Sequence, residues 1–146
     1  MKTLVLFGSS RRSTRMVVRR LEDYLSFEFK AVDVARLTDA RILEEYELLL
    51  FFAPTYGDGE LQQDMEDFLQ RLDQALPDKH FAVCELGNYY GYDDFAHGAM
   101  PIIRDALLEL KAKELIAPVS IDSLPKKDWE NLKRWCDLLN QVVADE

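Results

Sequence analysis

The sequence predicts an α/β fold, a doubly wound, five-stranded parallel sheet with helices on both faces. Five short apolar runs alternate with amphipathic stretches of helical period along the 146 residues. One run, "ELLLFFA" at 47–53, is apolar on both faces, as a central parallel strand must be. The length suits a single domain over residues 1–146, because no linker, repeat or low-complexity segment divides the chain.

The first half of the chain predicts three strands. An apolar run predicts a strand at Thr3–Phe7, and apolar residues at helical spacing predict a helix at Arg15–Leu25. Alternating apolar residues predict a strand at Phe27–Val34, followed by a short helical turn at Ile42–Tyr46. The run at Glu47–Ala53 then supplies the central strand.

The second half continues the alternation with three helices and two strands. An amphipathic helix is predicted at Gln62–Leu76 and a strand at His80–Leu86. A helix at Gly98–Lys111, a strand at Leu115–Ile121 and a final helix at Asp128–Val143 complete the series.

The composition excludes several functions. With 27 acidic against 18 basic residues the net charge is -9, which argues against non-specific binding to nucleic acid or to an anionic membrane and leaves basic protein partners open. Cys84 and Cys136 lie far apart in apolar surroundings, so we predict two buried free thiols in a reducing compartment. No Cys or His spacing indicates a metal site.

Neither a membrane span nor a secretory leader is expected. No apolar run approaches the ~20 residues of a span, and Lys2 leads directly into the first strand. We therefore expect a cytoplasmic protein. His80 and His97 are candidate acid or base groups, but neither has a recognisable nucleophile or carboxylate partner in sequence, so no catalytic residue is predicted.

The first candidate binding segment is the loop after the first strand, "GSSRRST" at 8–14. A strand, a tight turn and a helix start together form an anion site, and hydroxyl groups suit phosphate oxygens. Neither a Walker loop nor GxGxxG is present, which disfavours nucleoside triphosphates and dinucleotides. The alternative is that Ser13 or Thr14 only caps a helix and that Arg11 and Arg12 are solvated charges.

Two further loops follow the third and fourth strands. In "APTYGDGELQQD" at 53–64, Tyr56 stands beside a glycine-flanked turn, where an aromatic ring can lie against a planar ligand. In "GNYYGYDDFAHGA" at 87–99, three tyrosines in four residues suggest a stacking surface or a protein contact. The carboxyl ends of parallel strands meet at one edge, so the three loops together suit a phosphorylated planar ring.

With these loops the chain resembles the flavodoxin family over essentially its whole length. "SSRRST" stands where the family has its phosphate loop, although Arg11 replaces a threonine and Arg12 a glycine. "TYGDGELQQD" is similar to the family's aromatic-x-x-G-E-L-Q stretch, and "GNYYGYDDF" to its third loop, with Asn88 where an aspartate is usual. The short connection before the last helix resembles the short-chain members.

The resemblance implies an FMN-binding protein that carries single electrons between redox proteins. It assigns the phosphate to the first loop and the flavin N5 to the Gly57–Asp58 peptide. Tyr56 is expected to stack on one face of the ring and Tyr92 on the other, with Tyr89 and Tyr90 as alternatives to Tyr92. The FMN-site residues it implies are Ser9, Ser10, Arg11, Arg12, Ser13, Thr14, Pro54, Thr55, Tyr56, Gly57, Asp58, Gly59, Leu86, Gly87, Asn88, Tyr89, Tyr92 and Phe95.

Two alternatives remain open. "GSSRRST" also resembles the phosphate loop of NAD(P)H-dependent FMN or quinone reductases, enzymes of the same fold, although their second loop usually carries P-x-Y-N. The other alternative is an interaction module without flavin.

For the carrier, the resemblance implies a reductase as electron donor and an enzyme as acceptor. Acidic residues near the ring would lower the potential and guide docking to basic faces of these partners, and a monomer is expected.

Overall fold

The computed structural model describes residues 1–8, 12–56, 60–87, 99–122 and 129–145, with the backbone only at 12, 13, 55, 56, 60, 99 and 122. The helices and strands, in chain order, are β1 (Thr3–Phe7), α1 (Arg12–Tyr24), β2 (Phe29–Asp33), β3 (Leu48–Tyr56), β4 (Glu60–Leu61), α2 (Gln63–Gln70), β5 (His80–Gly87), α3 (Ala99–Glu109), β6 (Lys113–Glu114), β7 (Val119–Asp122) and α4 (Trp129–Ala144). Two 3₁₀ segments, Val34–Arg36 and Ala40–Glu45, connect β2 to β3, the second of them near the predicted helical turn.

The sheet confirms the predicted fold class. Its strands lie in the order β2-β1-β3-β5, and both β6 and β7 pair with β5. All pairs in this order are parallel, with Val5 opposite Leu50 and Leu50 opposite Ala82 across the centre. The order reverses direction between β1 and β3, which is the switch point where ligands bind in open α/β sheets.

Residues of the central strand β3 face two separate hydrophobic layers. Leu49, Phe51 and Ala53 belong to the layer that packs on α2 and α3. Leu48, Leu50 and Phe52 belong to the layer that packs on α1 and α4. Because side chains alternate along a strand, a run that is apolar at every position can fill both layers.

The single strand predicted at Leu115–Ile121 is replaced in the structure by two short strands, both at the edge of the sheet beside β5. These strands, β6 and β7, are separated by residues 115–118. Pro118 has no N–H to donate to a ladder, so it interrupts the strand. The interruption leaves the Ala117 carbonyl free to accept a hydrogen bond of 3.1 Å from the Trp135 indole N–H.

Helix α2 is shorter than the predicted Gln62–Leu76. It ends at Gln70, and the Arg71 N–H closes the last turn on the carbonyls of Asp67 and Phe68. Leu72 and Leu76 continue the helical spacing and pack against the core, but they do so from an irregular segment. The Leu76 N–H bonds to the Leu110 carbonyl at 2.6 Å instead of to its own helix.

The two cysteines are as predicted. Cys84 on β5 and Cys136 on α4 are free and fully buried in the layer between the sheet and α1 and α4. Burial raises the pKa of the Cys84 thiol well above its usual range, with Cys136 and Glu85 adding to the effect. Burial also raises the pKa of Cys136, to about 12.

Candidate functional site

The three candidate loops leave the sheet at one edge. β1 ends beside β3, with Phe7 opposite Phe52, and the Gly8 N–H donates to the Phe52 carbonyl at 3.0 Å. β3 continues beside β5, with Pro54 opposite Leu86. The segments that follow these strands therefore start from neighbouring points at the carboxyl edge, as the sequence predicts.

Much of the predicted site lies outside the described residues, namely Ser9, Ser10, Arg11, Gly57, Asp58, Gly59, Asn88, Tyr89, Tyr92 and Phe95. Only the backbone is described at Arg12, Ser13, Thr55 and Tyr56. Pro54 is half-buried, Leu86 and Gly87 are buried, and Thr14 lies in the first turn of α1.

Thr14 has an unusual environment for a hydroxyl group. Helix α1 begins at Arg12, three residues before the predicted start, so Thr14 is its third residue rather than the residue before it. The side chain is 1% exposed. Within the part of the chain that the structure describes, its hydroxyl has no hydrogen-bond partner, whereas the buried Thr3 hydroxyl donates to the Met1 carbonyl. A buried hydroxyl without a partner is costly, and a phosphate oxygen would satisfy it.

The second loop is the tip of a hairpin that the sequence interpretation missed. β4 runs antiparallel to the end of β3, pairing Thr55 with Leu61 and Tyr56 with Glu60. The Asp58-Gly59 dipeptide was an available signal, because Asp-Gly between two extended segments is typical of hairpin turns. The backbone of Tyr56 is thereby paired with that of Glu60 beyond the parallel sheet.

Gln62 is a buried polar residue that the sequence alone did not assign to the site. It directly follows the hairpin and is fully buried. Its Oε1 accepts the Met65 N–H at 2.9 Å and so caps α2, while its Nε2 donates to Asp64 Oδ2 at 2.9 Å. Glutamine is uncommon as an N-cap, so the sequence carries little signal for this role.

A buried carboxylate stands near the start of the third loop. Glu85, near the end of β5, is fully buried and accepts the Met100 N–H at 2.8 Å and the Ser120 hydroxyl at 2.6 Å. The first of these bonds satisfies an N–H in the opening turn of α3, where negative charge is favoured. Glu85 thus fixes where the chain re-enters helix after the third loop.

Charged side chains surround the edge unevenly. Arg15 on α1 donates to Asp33 Oδ2 at 2.9 Å, and its guanidinium lies 6.0 Å from the centre of the Phe7 ring. On the other side of the sheet, the first turns of α2 carry Asp64 and Glu66. The arginine-rich helix α1 and the acidic helix α2 therefore flank the carboxyl ends of β1 and β3.

His80 lies at the wrong end of the molecule for this site. It is the first residue of β5, seven residues before Gly87, which corresponds to about 23 Å along a strand. His97 lies outside the described residues.

Neither a metal centre nor a membrane span is found in the part of the chain that the structure describes. No group of His, Cys, Asp or Glu among those residues could hold a metal ion. None of the described helices is long and apolar enough to cross a bilayer.

Comparison with known proteins decides the family. The family model for flavodoxin matches residues 5–135. The chain belongs to the flavodoxin family. Flavodoxin 2 of Escherichia coli K12 is 28% identical to it over 104 residues, 70% of this chain and 60% of the relative. Flavodoxin of Buchnera aphidicola from Acyrthosiphon pisum is 27% identical over 109 residues, 74% of this chain and 64% of the relative. The chain spans about 60% of the length of the first curated flavodoxins that it matches.

Solved flavodoxin structures share the whole fold. A flavodoxin of Streptococcus pneumoniae TIGR4 gives a TM-score of 0.84 at 23% identity, covering 100% of both chains. A short-chain flavodoxin associated with a PDU bacterial microcompartment gives 0.80 at 21% identity, covering 97% of this chain and 99% of that chain. A Fusobacterium nucleatum flavodoxin bound to flavin mononucleotide gives 0.79 at 19% identity, covering 97% and 98%. At these identities the likeness shows the fold, which agrees with the predicted doubly wound sheet.

Proposed function

We propose that this flavodoxin-family chain is a single domain that binds FMN and carries single electrons between redox proteins. The observation that carries the proposal is the buried Thr14 hydroxyl, which has no partner within the described part of the chain and follows a loop rich in hydroxyl groups. The family membership supports the same cofactor, and the relative from Fusobacterium nucleatum is a flavodoxin bound to flavin mononucleotide.

The residues at the carboxyl edge fit the cofactor in type and in order. Phosphate would be held by Ser9, Ser10, Ser13 and Thr14, with Arg11 and Arg12 as further donors. Tyr56 and Tyr92 would cover the ring faces, and the backbone of Gly57 and Asp58 would lie at the N5 edge. Bound FMN supplies the redox chemistry, and the chain positions it, shields it from water and sets its electrostatic surroundings.

The remaining predicted site residues would line the ring from the strand ends. Pro54 and Leu86 are paired across β3 and β5, and Thr55 and Gly87 follow them. Gly59 would complete the second loop, and Asn88, Tyr89 and Phe95 the third.

A docking face for redox partners lies beside this site, between α2 and α3. Leu61, Leu69 and the 41%-exposed Ile102 line a groove of about 490 Å³ together with Glu66. α2 carries three acids and no basic residue. A partly apolar groove beside an acidic helix suits a basic partner that buries an apolar side chain, since complementary charge guides encounter.

We also propose a compartment and an assembly state. Two buried free thiols fit a reducing compartment, which supports the cytoplasm as the proposed location. We expect a monomer that exchanges partners at the acidic face.

The visible spectrum of the purified protein tests the proposed function. We expect a yellow protein, or an apoprotein that stays yellow after FMN has been added and the unbound flavin removed, and we expect NADPH alone to leave the colour unchanged. Rapid bleaching by NADPH without a partner enzyme would favour the NAD(P)H-dependent flavin or quinone reductase. A colourless protein that does not take up FMN would contradict the proposal and favour an interaction module.

A further inference from the structure

Gly8 and Gln62 are in close contact although they are 54 positions apart in the chain. A methyl group on Gly8 would lie 3.1 Å from Gln62 Cδ and 3.2 Å from Met65 Cβ, and closer still to Gln62 Oε1. These separations are shorter than carbon atoms normally tolerate, so the packing of the amide against the Gly8 Cα requires glycine there. The requirement is spatial, because Gly8 does not have a positive φ.

The Gln62 side chain cannot easily move aside. It is fully buried, and its two amide atoms are hydrogen-bonded to the Met65 N–H and to Asp64. Swinging the amide away would leave the N–H of Met65 without its cap in a buried place, which costs free energy. A change at Gly8 is therefore transmitted to the start of α2.

The two residues belong to different halves of the proposed site. Gly8 is the last residue before the phosphate loop and is anchored to β3 by its N–H bond to Phe52. Gln62 is the first residue after β4, and β3 and β4 flank residues 57–59 of the second loop, called here the ring-side loop. Their contact is thus a direct physical link between the residues that precede one loop and those that follow the other.

We infer that Gln62 is a positioning residue that couples the phosphate loop to the ring-side loop through Gly8. The inference rests on the proposed function. It implies that a change on the ring side alters how well the protein distinguishes FMN from riboflavin. It implies equally that a change at the base of the phosphate loop alters the separation of the two one-electron reduction potentials.

A double-mutant cycle between Gly8→Ala and Gln62→Ala tests the coupling. Each variant is titrated with FMN and with riboflavin, and the two potentials are measured on the FMN-loaded protein. Gly8→Ala in the wild-type background should weaken FMN binding at least tenfold and shift the separation of the potentials. In the Gln62→Ala background the two closest contacts are removed and only the 3.2 Å approach to Met65 Cβ remains, so the same change should weaken FMN binding less than threefold.

Gln62→Ala alone keeps the inference testable if Gly8→Ala does not fold. This variant creates no clash, and it should lower the ratio of FMN to riboflavin affinity at least threefold. Recovery of a folded, FMN-binding protein in the double variant would then itself support the contact.

Asn140→Ala serves as the matched control for loss of stability. Asn140 on α4 accepts the Ser26 N–H at 2.8 Å and donates to the Tyr24 carbonyl at 2.9 Å, at the far end of α1 from the loops. It should lower stability and leave the affinity ratio and the separation of the potentials unchanged. Equal effects of Gly8→Ala in both backgrounds would overturn the coupling alone, whereas absence of FMN binding by the wild type would overturn the proposed function with it.

Discussion

At the scale of residues, the main support for the proposed function is a single buried hydroxyl group. Thr14 combines near-complete burial with the absence of a hydrogen-bond partner within the described residues. Helix capping does not account for it, because α1 has already begun at Arg12. The unsatisfied hydroxyl makes the apoprotein less stable than it could be, as expected where a protein is organised to bind a ligand.

Thr14→Val tests the role of this hydroxyl. Valine has a similar shape, so the free energy of unfolding of the apoprotein should stay constant or rise by about 1 kcal/mol. FMN affinity should fall about tenfold, or ~1.4 kcal/mol, because one phosphate contact is lost. Titrations with FMN and riboflavin measure the effect. A parallel loss of affinity for riboflavin would mean that Thr14 does not bind the phosphate.

The paired arginines of the first loop have a separate test. If Arg11 and Arg12 contact phosphate, their joint replacement by alanine should weaken FMN binding by about 1–3 kcal/mol and leave riboflavin binding unchanged. Arg19→Ala is the control, because Arg19 is exposed farther along α1. Unchanged FMN affinity in the double variant would show that Arg11 and Arg12 are solvated charges or partner contacts.

The sequence predicts some residues of the candidate site and not others, for a physical reason. Thr14 follows from local order alone, because a hydroxyl at a strand–loop–helix junction indicates anion binding. The sequence does not predict that Gln62 and Glu85 lie at the site, because their roles depend on burial against residues distant in the chain. In sequence each is simply a polar residue beside a helix or within a strand.

At the scale of elements, the strands with continuous apolar runs were predicted best. The ends of β3 and β5 lie within three residues of their predicted positions, because burial on both faces leaves a strong signal. The end of α2 was predicted poorly, since Leu72 and Leu76 keep helical spacing while packing from irregular backbone. β4 was missed because a two-residue strand has too few side chains to show a period.

The packing of β5 on α4 predicts a loss of stability at high pH. The pKa of Cys136 is about 12 in the folded protein against a usual value of 9.0, so the folded state keeps the proton that the unfolded chain releases. Folding stability should therefore fall as pH rises from 9 toward 12, by about 1.4 kcal/mol per pH unit for this thiol. Urea unfolding at a series of pH values measures the decline.

Cys136→Ala isolates the contribution of that thiol. The variant should be less stable than the wild type at neutral pH because of the cavity, but its stability should decline less steeply above pH 9. Parallel declines in the two proteins would show that other groups cause the alkaline loss.

At the scale of the whole molecule, charge is distributed unevenly over the two faces. α1 carries four arginines against two acids, and α2 carries three acids and no base. The two helices lie on opposite faces of the sheet. The composition predicts the acidic balance, but the separation of charge between the faces depends on the topology.

Electron transfer to cytochrome c, a basic haem protein, tests the acidic docking face. The rate from the reduced protein should fall as salt rises from about 0.02 to about 0.3 M. At low salt, the pair Glu66→Gln and Asp67→Asn should slow transfer roughly two- to fivefold. The pair Glu130→Gln and Asp137→Asn on α4 changes net charge equally and should have a smaller effect. Equal slowing by both pairs would contradict docking at α2.

Transfer of single electrons is the central property proposed for this protein, and a potentiometric reductive titration of the FMN-loaded wild type measures it most directly. We expect two resolved one-electron steps, with the half-reduced protein seen by its long-wavelength absorbance. Gly57→Val, which restricts the peptide expected at N5, should bring the two potentials closer by roughly 40–90 mV while FMN stays bound. Passage of the wild type directly to the two-electron-reduced form would contradict the one-electron carrier and favour a hydride-accepting reductase.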